Sequence, residues 1–160
     1  MRRIRVIPVL LLDNGGLYKT IRFSKPSYVG DPVNTVKIFN DKEVDELIIL
    51  DIAASRNRRS PDFTKLEDLA SEAFMPMAYG GGITSVADMR RIIFSGFEKV
   101  ILNSMIIVNK AIIKEGAALL GSQSVVVSVD FKKNIFGKAT VYGVSGRKSS
   151  GISPVDFAKQ

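Results

Sequence analysis

The chain has 160 residues, of which 46% are hydrophobic and 24% charged, which suits one globular domain with a buried core. It contains no cysteine and no histidine, which excludes disulfides, thiol catalysis, cysteine-ligated metal and the commonest general base. The formal net charge is +7, and because no basic stripe interleaved with aromatic residues is present, we expect phosphate-bearing small molecules as partners rather than nucleic acid.

The amino-terminal segment shows no signal peptide and no membrane span. Residues 1–5 lead into an apolar run that is too short to cross a bilayer. We therefore expect a cytoplasmic protein without a membrane partner, folded as one domain over residues 1–160.

Apolar runs of strand length alternate along the chain with stretches of helical periodicity. Asp31-Pro32 and Pro61-Asp62 are helix starts, and Gly96 is a helix stop. In chain order, the predicted elements are a strand at 6–12, a functional loop or solvated hairpin at 17–30, a helix at 31–40, a strand at 46–51, a loop at 53–60, a helix at 61–73, a strand at 74–79, a helix at 85–95, a strand at 99–102, a helix at 109–120, a strand at 125–130, a hairpin at 135–146 and a helix that opens at 153–154. Buried strands with short connections predict a parallel sheet covered by helices.

This repetition predicts an α/β fold of the (βα)8 TIM-barrel family, with the chain supplying about the first five βα units. A closed eight-stranded barrel needs roughly 250 residues. Residues 156–160 carry no helix stop signal, so we expect a barrel truncated at its carboxyl end. Strands one and five would then have unpaired edges, and because exposed edges recruit other chains, we expect self-association.

Charged residues stand at the amino ends of three predicted strands. Because strand side chains alternate with period two, Arg5, Glu46 and Lys99 fall on the faces that would point into the barrel. Their charges have opposite signs, so they can pair. The cluster is either a structural ring of salt bridges, or a gate or docking surface.

The carboxyl ends of the strands carry residues suited to chemistry, and this is the catalytic face of βα barrels. The residues there are Asp51, Gly80, Gly81, Gly82, Asn103, Ser104 and Asp130. The glycines followed by a helix predict either a phosphate site, through backbone N–H groups and the helix dipole, or a flexible turn. The two aspartates are either acid–base groups or anchors for helices and loops.

Several motifs together match a known family. They are Gly-Asp-Pro at 30–32, Asp-Glu-Leu-Ile-Ile-Leu-Asp-Ile at 45–52, Tyr-Gly-Gly-Gly-Ile at 79–83, Lys-Val-Ile-Leu-Asn at 99–103, Gly-Ser-Gln at 121–123 and Val-Val-Val-Ser-Val-Asp at 125–130. In this order they resemble the HisF family, the cyclase subunit of imidazole glycerol phosphate synthase. The resemblance covers the whole chain and about the first two thirds of the family's barrel.

The resemblance implies a barrel docked on a HisH-type glutaminase subunit, whose ammonia passes through the barrel core to a phosphorylated nucleotide substrate. It implies no cofactor and no metal. The resemblance assigns Gly82, Asn103 and Ser104 to a phosphate site, Arg5, Glu46 and Lys99 to the ammonia gate as three of its four charged residues, and Asp130 to catalysis as one of two aspartates. We expect Lys19, Asp51 and Gly81 to bind phosphate or substrate as well.

One position departs from the family. A second catalytic aspartate ends the family's first strand, and here that position is Leu11. Leucine transfers no proton, and loss of a positioned acid–base group costs roughly 100- to 10,000-fold in rate, so the cyclisation should be impaired. Asp13 could face inward by alternation, but we expect it to lie beyond the strand end.

Three functional interpretations follow. Ile-Pro-Val-Leu-Leu-Leu at 7–12, Asn-Gly-Gly-Leu-Tyr-Lys-Thr at 14–20 and Tyr-Val-Gly-Asp-Pro-Val-Asn at 28–34 resemble a branch of the family found with surface-polysaccharide genes. In that branch the barrel supplies ammonia to an amidotransferase that makes an acetamidino sugar. Alternatively the chain is a working cyclase of histidine synthesis, with Asp13 or a residue beyond Gln160 replacing the aspartate. The third interpretation is a catalytically silent half-barrel scaffold that only binds phosphate or self-associates.

Overall fold

A computed structural model describes residues 4–21, 24–143 and 148–160. Within these ranges the strands are β1 (Val9–Asp13), β2 (Gly16–Ile21), β3 (Ser24–Gly30), β4 (Leu47–Asp51), β5 (Met77–Gly80), β6 (Lys99–Leu102), β7 (Val125–Val127), β8 (Asp130–Lys133), β9 (Ala139–Gly143) and β10 (Lys148–Ser149). The helices are α1 (Pro32–Asp41), α2 (Phe63–Glu72), α3 (Val86–Phe94), α4 (Ser104–Val108), α5 (Ala111–Leu120) and α6 (Pro154–Lys159), with a 3₁₀ turn at Ser122–Ser124. None of these helices is long and apolar enough to cross a membrane.

The strands form a seven-stranded sheet and a small three-stranded sheet. The order in the larger sheet is β3-β2-β1-β4-β5-β6-β7, and β1, β4, β5, β6 and β7 run parallel to their neighbours in that order. Sequential parallel neighbours joined by helices are the arrangement of a βα barrel. The predicted fold class, a partial barrel of about five βα units, is confirmed.

The core lies between the parallel strands and the helices that cover them. The most buried residues of the parallel strands, each at most 1% exposed, are Leu47, Ile49, Tyr79, Val100 and Leu102. Helix residues that complete this layer are Val36, Leu66, Leu69, Met89, Ile92 and Ile112. The inner faces of the strands are more open, since Val9 is 50% exposed and Val126 is 37% exposed.

The predicted helix starts are confirmed by their caps. Asp31 accepts a hydrogen bond from the backbone N of Asn34 at 2.9 Å, and Asp62 accepts one from Lys65 at 3.2 Å. Ser85 and Asp88 form a capping box at the start of α3. These side chains satisfy N–H groups that a helix leaves without intrahelical partners, which sets the helix ends.

The described residues of 17–30 form two antiparallel strands, β2 and β3, rather than an open loop. The turn before β2 has positive φ at Asn14 (46°) and Gly15 (87°), the backbone of a two-residue hairpin turn. β2 pairs with β1 through Leu12↔Leu17 and Asp13↔Gly16. The expectation that strand one has an unpaired edge is therefore wrong along the end of β1, because β2 covers it and β3 becomes the outer strand.

The predicted fifth strand is shorter than expected. β7 ends at Val127, and Asp130 opens β8, which pairs with β9 in the smaller sheet. The hairpin predicted at 135–146 has its turn at 134–138, where the Asn134 side chain accepts from the backbone N of Phe136 and Lys138. Residues 144–147 of that hairpin lie outside the described residues.

One helix was missed between β6 and the predicted fourth helix. α4 begins directly after Asn103, and α5 begins at Ala111, two residues later than expected. A five-residue helix carries too few apolar repeats for periodicity to reveal it.

Candidate functional site

Three charged side chains meet at the amino ends of the parallel strands. Glu46 precedes β4 and is 8% exposed, and its two carboxylate oxygens pair separately with Arg5 Nη1 and Lys99 Nζ. A buried carboxylate needs such partners, because removing it from water is costly. The structure therefore brings the three predicted gate residues together.

An apolar surface separates this cluster from the opposite rim. Ile48 and Leu50 follow Glu46 on the same face of β4. The five residue steps from Glu46 to Asp51, at the other end of this strand, span about 16 Å. Leu11, Leu50 and Ile101 also form the floor of a cavity at the other end. The charged cluster and the cavity are thus two ends of one inner face.

The cavity lies at the carboxyl ends of the parallel strands and measures about 310 Å³. It is lined by residues from every parallel strand end, the β2–β3 hairpin and the loop over 53–60: Leu11, Asp13, Thr20, Pro26, Leu50, Asp51, Ile52, Ser55, Arg56, Gly80, Gly81, Gly82, Ile83, Ile101, Leu102, Asn103, Ser104, Met105, Ser128 and Asp130. The predicted site residues Asp51, Gly81, Gly82, Asn103, Ser104 and Asp130 are therefore brought to one cavity. Their roles stay predictions.

The glycines after β5 are required by backbone geometry and by packing. Gly81 has φ +126° and Gly82 has φ +68°, a region that favours glycine. A Cβ at Gly81 would collide with the Asp51 carbonyl oxygen, and one at Gly82 with the Arg59 carbonyl oxygen. These contacts make the segment a tight connection between two loops rather than a flexible turn.

The amino end of α3 is occupied by the protein's own groups. Asp88 Oδ2 accepts from the backbone N of Thr84 and of Ser85, both at 3.0 Å, and the backbone N of Asp88 donates to Ser85 Oγ. Gly82 N–H donates to Ser55 Oγ at 3.4 Å, a long bond. The phosphate hypothesis therefore depends on the glycine backbone and cavity hydroxyls, and less on the dipole of α3.

Asp51 anchors the loop that follows β4. Its Oδ1 accepts from the backbone N of Ala53 (3.0 Å) and of Ala54 (2.8 Å), and its Oδ2 accepts from Arg59 Nη2 at 3.3 Å. This is the anchoring role that the sequence left open. Asp51 also acts on Tyr79 in β5, where burial first and the Asp51 charge second raise the pKa of the phenol, while Arg59 opposes the rise.

Asp130 and the Asn103-Ser104 pair face the same cavity from the other side. Asp130 is half-buried and opens β8, so it begins a strand instead of ending one as expected. Asn103 occupies the N-cap position of α4 without a side-chain cap hydrogen bond. The amide and the neighbouring hydroxyl of Ser104 therefore supply polar groups to the cavity wall.

Lys19 is not brought to the cavity. It is exposed in the middle of β2, opposite Ser27 of β3, and the neighbouring Thr20 lines the cavity instead. Sequence reasoning also missed Pro26 and Met105 as wall residues. Period-two alternation in the hairpin could have indicated Thr20, although the register shifts between β2 and β3 weaken that signal.

Asp13 differs from the expectation most. It is the last residue of β1, so it lies within the strand rather than beyond its end, and it shares the cavity face with Leu11. It is 8% exposed. Its Oδ2 lies 3.5 Å from Arg56 Nη2, and its Oδ1 makes no hydrogen bond within the described part of the chain.

Comparisons with known proteins point in one direction. A family model described as "Histidine biosynthesis protein" matches residues 5–160. A Leptospira interrogans protein, provisionally named imidazole glycerol phosphate synthase subunit HisF, is 49% identical over 99% of this chain and 63% of its own length. A Vibrio vulnificus (strain YJ016) protein, provisionally named subunit hisF3 of the same synthase, is 48% identical over 100% of this chain and 62% of its own length.

A third relative carries its name without the provisional qualifier. The imidazole glycerol phosphate synthase subunit HisF of Alkaliphilus metalliredigens (strain QYMF) is 38% identical over 98% of this chain and 62% of its own length. The chain thus spans less than two thirds of the length of these relatives.

Proposed function

Because this chain belongs to the histidine biosynthesis protein family, as a HisF-like subunit, we propose that it receives ammonia at the charged rim and delivers it to a phosphorylated ligand in the cavity. The ammonia would come from a HisH-type glutaminase subunit docked at the charged rim. The observation that carries the proposal is the placement of the Arg5–Glu46–Lys99 cluster and the cavity at opposite ends of one inner face.

The apolar surface between the two ends supports passage of neutral ammonia. Leu11, Leu50 and Ile101 offer no polar groups, so an ammonium ion would lose its hydration there without compensation, whereas neutral ammonia loses much less. A paired cluster at the entrance suits a gate, because Arg5 and Lys99 hold different oxygens of Glu46, so one pair can open while the other still compensates the carboxylate. Arg5, with a side chain 61% exposed, remains accessible to a docked protein.

The cavity supports a phosphate-bearing ligand. Glycine backbone at Gly81 and Gly82 allows close approach of an anion, and Ser55 and Ser104 supply hydroxyls. The basic net charge favours anionic ligands.

The cavity wall at Leu11 supports a role other than imidazole ring closure. An apolar side chain stands where the family places a catalytic aspartate, so acid–base chemistry would depend on Asp130 and on Asp13. We therefore propose acetamidino-sugar synthesis, through a sugar amidotransferase partner, as the pathway that uses the ammonia.

A histidine-pathway cyclase remains the second candidate, because one observation favours it. Asp13 reaches the cavity on the same face as Leu11, so a carboxylate is present close to the family's catalytic position. The two candidates share the fold, the glutaminase partner and the phosphate site, and they differ in whether the chain closes an imidazole ring.

The test uses the full-length protein with ammonium and the bisphosphorylated ribulosyl aminoimidazole carboxamide nucleotide. Wild type should turn over at least about 100-fold more slowly than the Leu11→Asp variant. Asp130→Asn added to Leu11→Asp should remove the gain, which controls for non-specific effects. Full cyclase turnover by wild type, equal to that of an active Leu11→Asp variant, would overturn the proposal in favour of the histidine cyclase.

Glutaminase docking is tested separately by isothermal titration calorimetry with the HisH-type subunit of the same organism. Wild type should bind it with micromolar or tighter affinity. Failure to bind the glutaminase would leave the silent scaffold, whether or not inorganic phosphate binds.

A further inference from the structure

Asp13 is a buried carboxylate that the proposed ammonia route does not use. Its position is fixed by the Asn14–Gly15 turn, which Lys65 holds through a hydrogen bond from its Nζ to the Gly15 carbonyl at 2.7 Å. Leu12 on the other face is buried in the core, so alternation directs Asp13 to the cavity. The side chain is therefore held in place by its surroundings.

Asp13 has fewer hydrogen-bonding and charged partners than a buried carboxylate needs. The residue is 92% buried, counted from its 8% exposure. Arg56 lies 3.5 Å from Oδ2 and is itself half-exposed, so it compensates the charge only weakly. Oδ1 makes no hydrogen bond to any described residue, and a buried polar atom without a partner costs roughly 1–3 kcal/mol, more when it is charged.

A neighbouring carboxylate shows that burial at this rim does not by itself leave an aspartate without hydrogen-bond partners. Asp51, at the end of the adjacent strand, is buried to a similar degree at 6% exposure. Its oxygens accept from two backbone N–H groups and from Arg59. Of the two buried aspartates at this rim, Asp51 has a donor on each oxygen, whereas Asp13 Oδ1 has none among the described residues.

We propose that Asp13 Oδ1 accepts a hydrogen bond from a protonated amino group of the ligand whose phosphate occupies the glycine side of the cavity. This inference rests on the proposed phosphate site. An ammonium group supplies the missing donor and the missing positive charge, whereas a hydroxyl supplies only the donor. The volume of about 310 Å³ is at the lower end for small-molecule sites, which suits a single aminosugar phosphate.

The chemistry of an Asp13→Asn substitution makes the idea testable. Arg56 attracts the amide oxygen of asparagine, which turns the amide NH₂ toward the position of the unpartnered Oδ1. A donor would then face the donor of an ammonium group. A hydroxyl can reverse its bond and accept, so its binding should change less.

The experiment measures dissociation constants by calorimetry for five probes: glucosamine 6-phosphate, glucose 6-phosphate, glucosamine, glucose and inorganic phosphate. Wild type should bind glucosamine 6-phosphate about 10-fold or more tightly than glucose 6-phosphate, the size expected for a charged hydrogen bond. Asp13→Asn should abolish this preference and leave inorganic phosphate within about 2-fold. Asp68→Asn, on the exposed side of α2, is the matched control for charge and should retain the preference.

A second variant keeps the inference falsifiable if Asp13→Asn misfolds. Arg56→Ala removes the weak partner from a half-exposed loop position, so Asp13 should depend more on the ligand and the preference for the amine should rise. A preference that is absent in wild type, or unchanged in both variants, overturns the role of Asp13. Absence of phosphate binding to wild type overturns the phosphate site alone, and glucosamine against glucose then decides the role of Asp13.

Discussion

Polar side chains of the same type have different roles in this molecule, and their partners decide which. Asp51 holds a loop through two backbone N–H groups, Asp88 caps α3, and Glu46 joins two basic residues. The sequence could place each of them at a strand end or helix start, because those positions follow from local patterns. Their partners lie up to 53 residues away, as for Lys99 and Glu46, so no local pattern could assign them.

We expect Tyr79 to lower the free energy of unfolding as the pH rises into the alkaline range. Burial and the Asp51 charge raise the pKa of its phenol above the ordinary value of about 10. Above about pH 10 the unfolded chain releases the Tyr79 proton while the folded protein retains it, so folding stability falls by up to about 1.4 kcal/mol per pH unit. Below pH 10 both states keep the proton and the contribution is fully present.

The Tyr79→Phe variant should therefore lose part of this slope between about pH 10 and 11 in urea unfolding experiments. Between about pH 7 and 9 the two proteins should show parallel pH dependence, which serves as the internal control. Parallel curves across the whole range would show that Tyr79 titrates equally in both states.

Helices were easier to predict than the ends of strands. The starts of α1, α2 and α3 were marked by Asp31, Asp62 and Ser85, because capping is a local interaction. The predicted strand over 125–130 extends three residues beyond the end of β7, since Val125, Val126, Val127 and Val129 form a valine-rich run that only Ser128 interrupts. Which sheet a residue joins is decided by pairing partners such as Asp130↔Tyr142, which are distant in sequence.

At the scale of an element, we expect Asp88 to stabilise α3 more than a typical surface aspartate does. Its Oδ2 accepts three hydrogen bonds, from Thr84 N, Thr84 Oγ1 and Ser85 N. Asp88→Ala should lower the free energy of unfolding by about 1–2 kcal/mol. Asp68→Ala, in the exposed middle of α2, is the control and should change stability by less than about 0.5 kcal/mol. Equal effects of the two substitutions would contradict the capping role.

The molecule as a whole has one covered face and one open face. Helices bury the outer side of the parallel strands, while Val9 and Val126 on the inner side remain 50% and 37% exposed. Period two and parallel order were enough to predict which residues would meet at each rim. The β2–β3 hairpin was left as one of two alternatives, and its contribution to the cavity depends on tertiary pairing that the sequence does not encode locally.

At this scale we expect the 160-residue chain to self-associate through the open inner face. Analytical ultracentrifugation at roughly 10–100 μM should show species larger than one chain, since exposed apolar surface associates in this range. Val9→Lys combined with Val126→Lys should shift the distribution toward the monomer. Val155→Lys, 63% exposed on α6, is the control and should leave it unchanged. A wild-type chain that stays monomeric would remove the prediction.

The loop over residues 53–60 contacts three separate strand ends at once. Arg56 pairs with Asp13 of β1, and Arg59 pairs with Asp51 of β4. The carbonyl oxygen of Arg59 leaves no room for a Cβ at Gly82, which follows β5. The two arginines therefore connect this loop to parts of the cavity wall that come from different strands. Loss of Arg56 would leave the buried Asp13 carboxylate without its basic partner, so relatives that replace Arg56 should also have replaced Asp13.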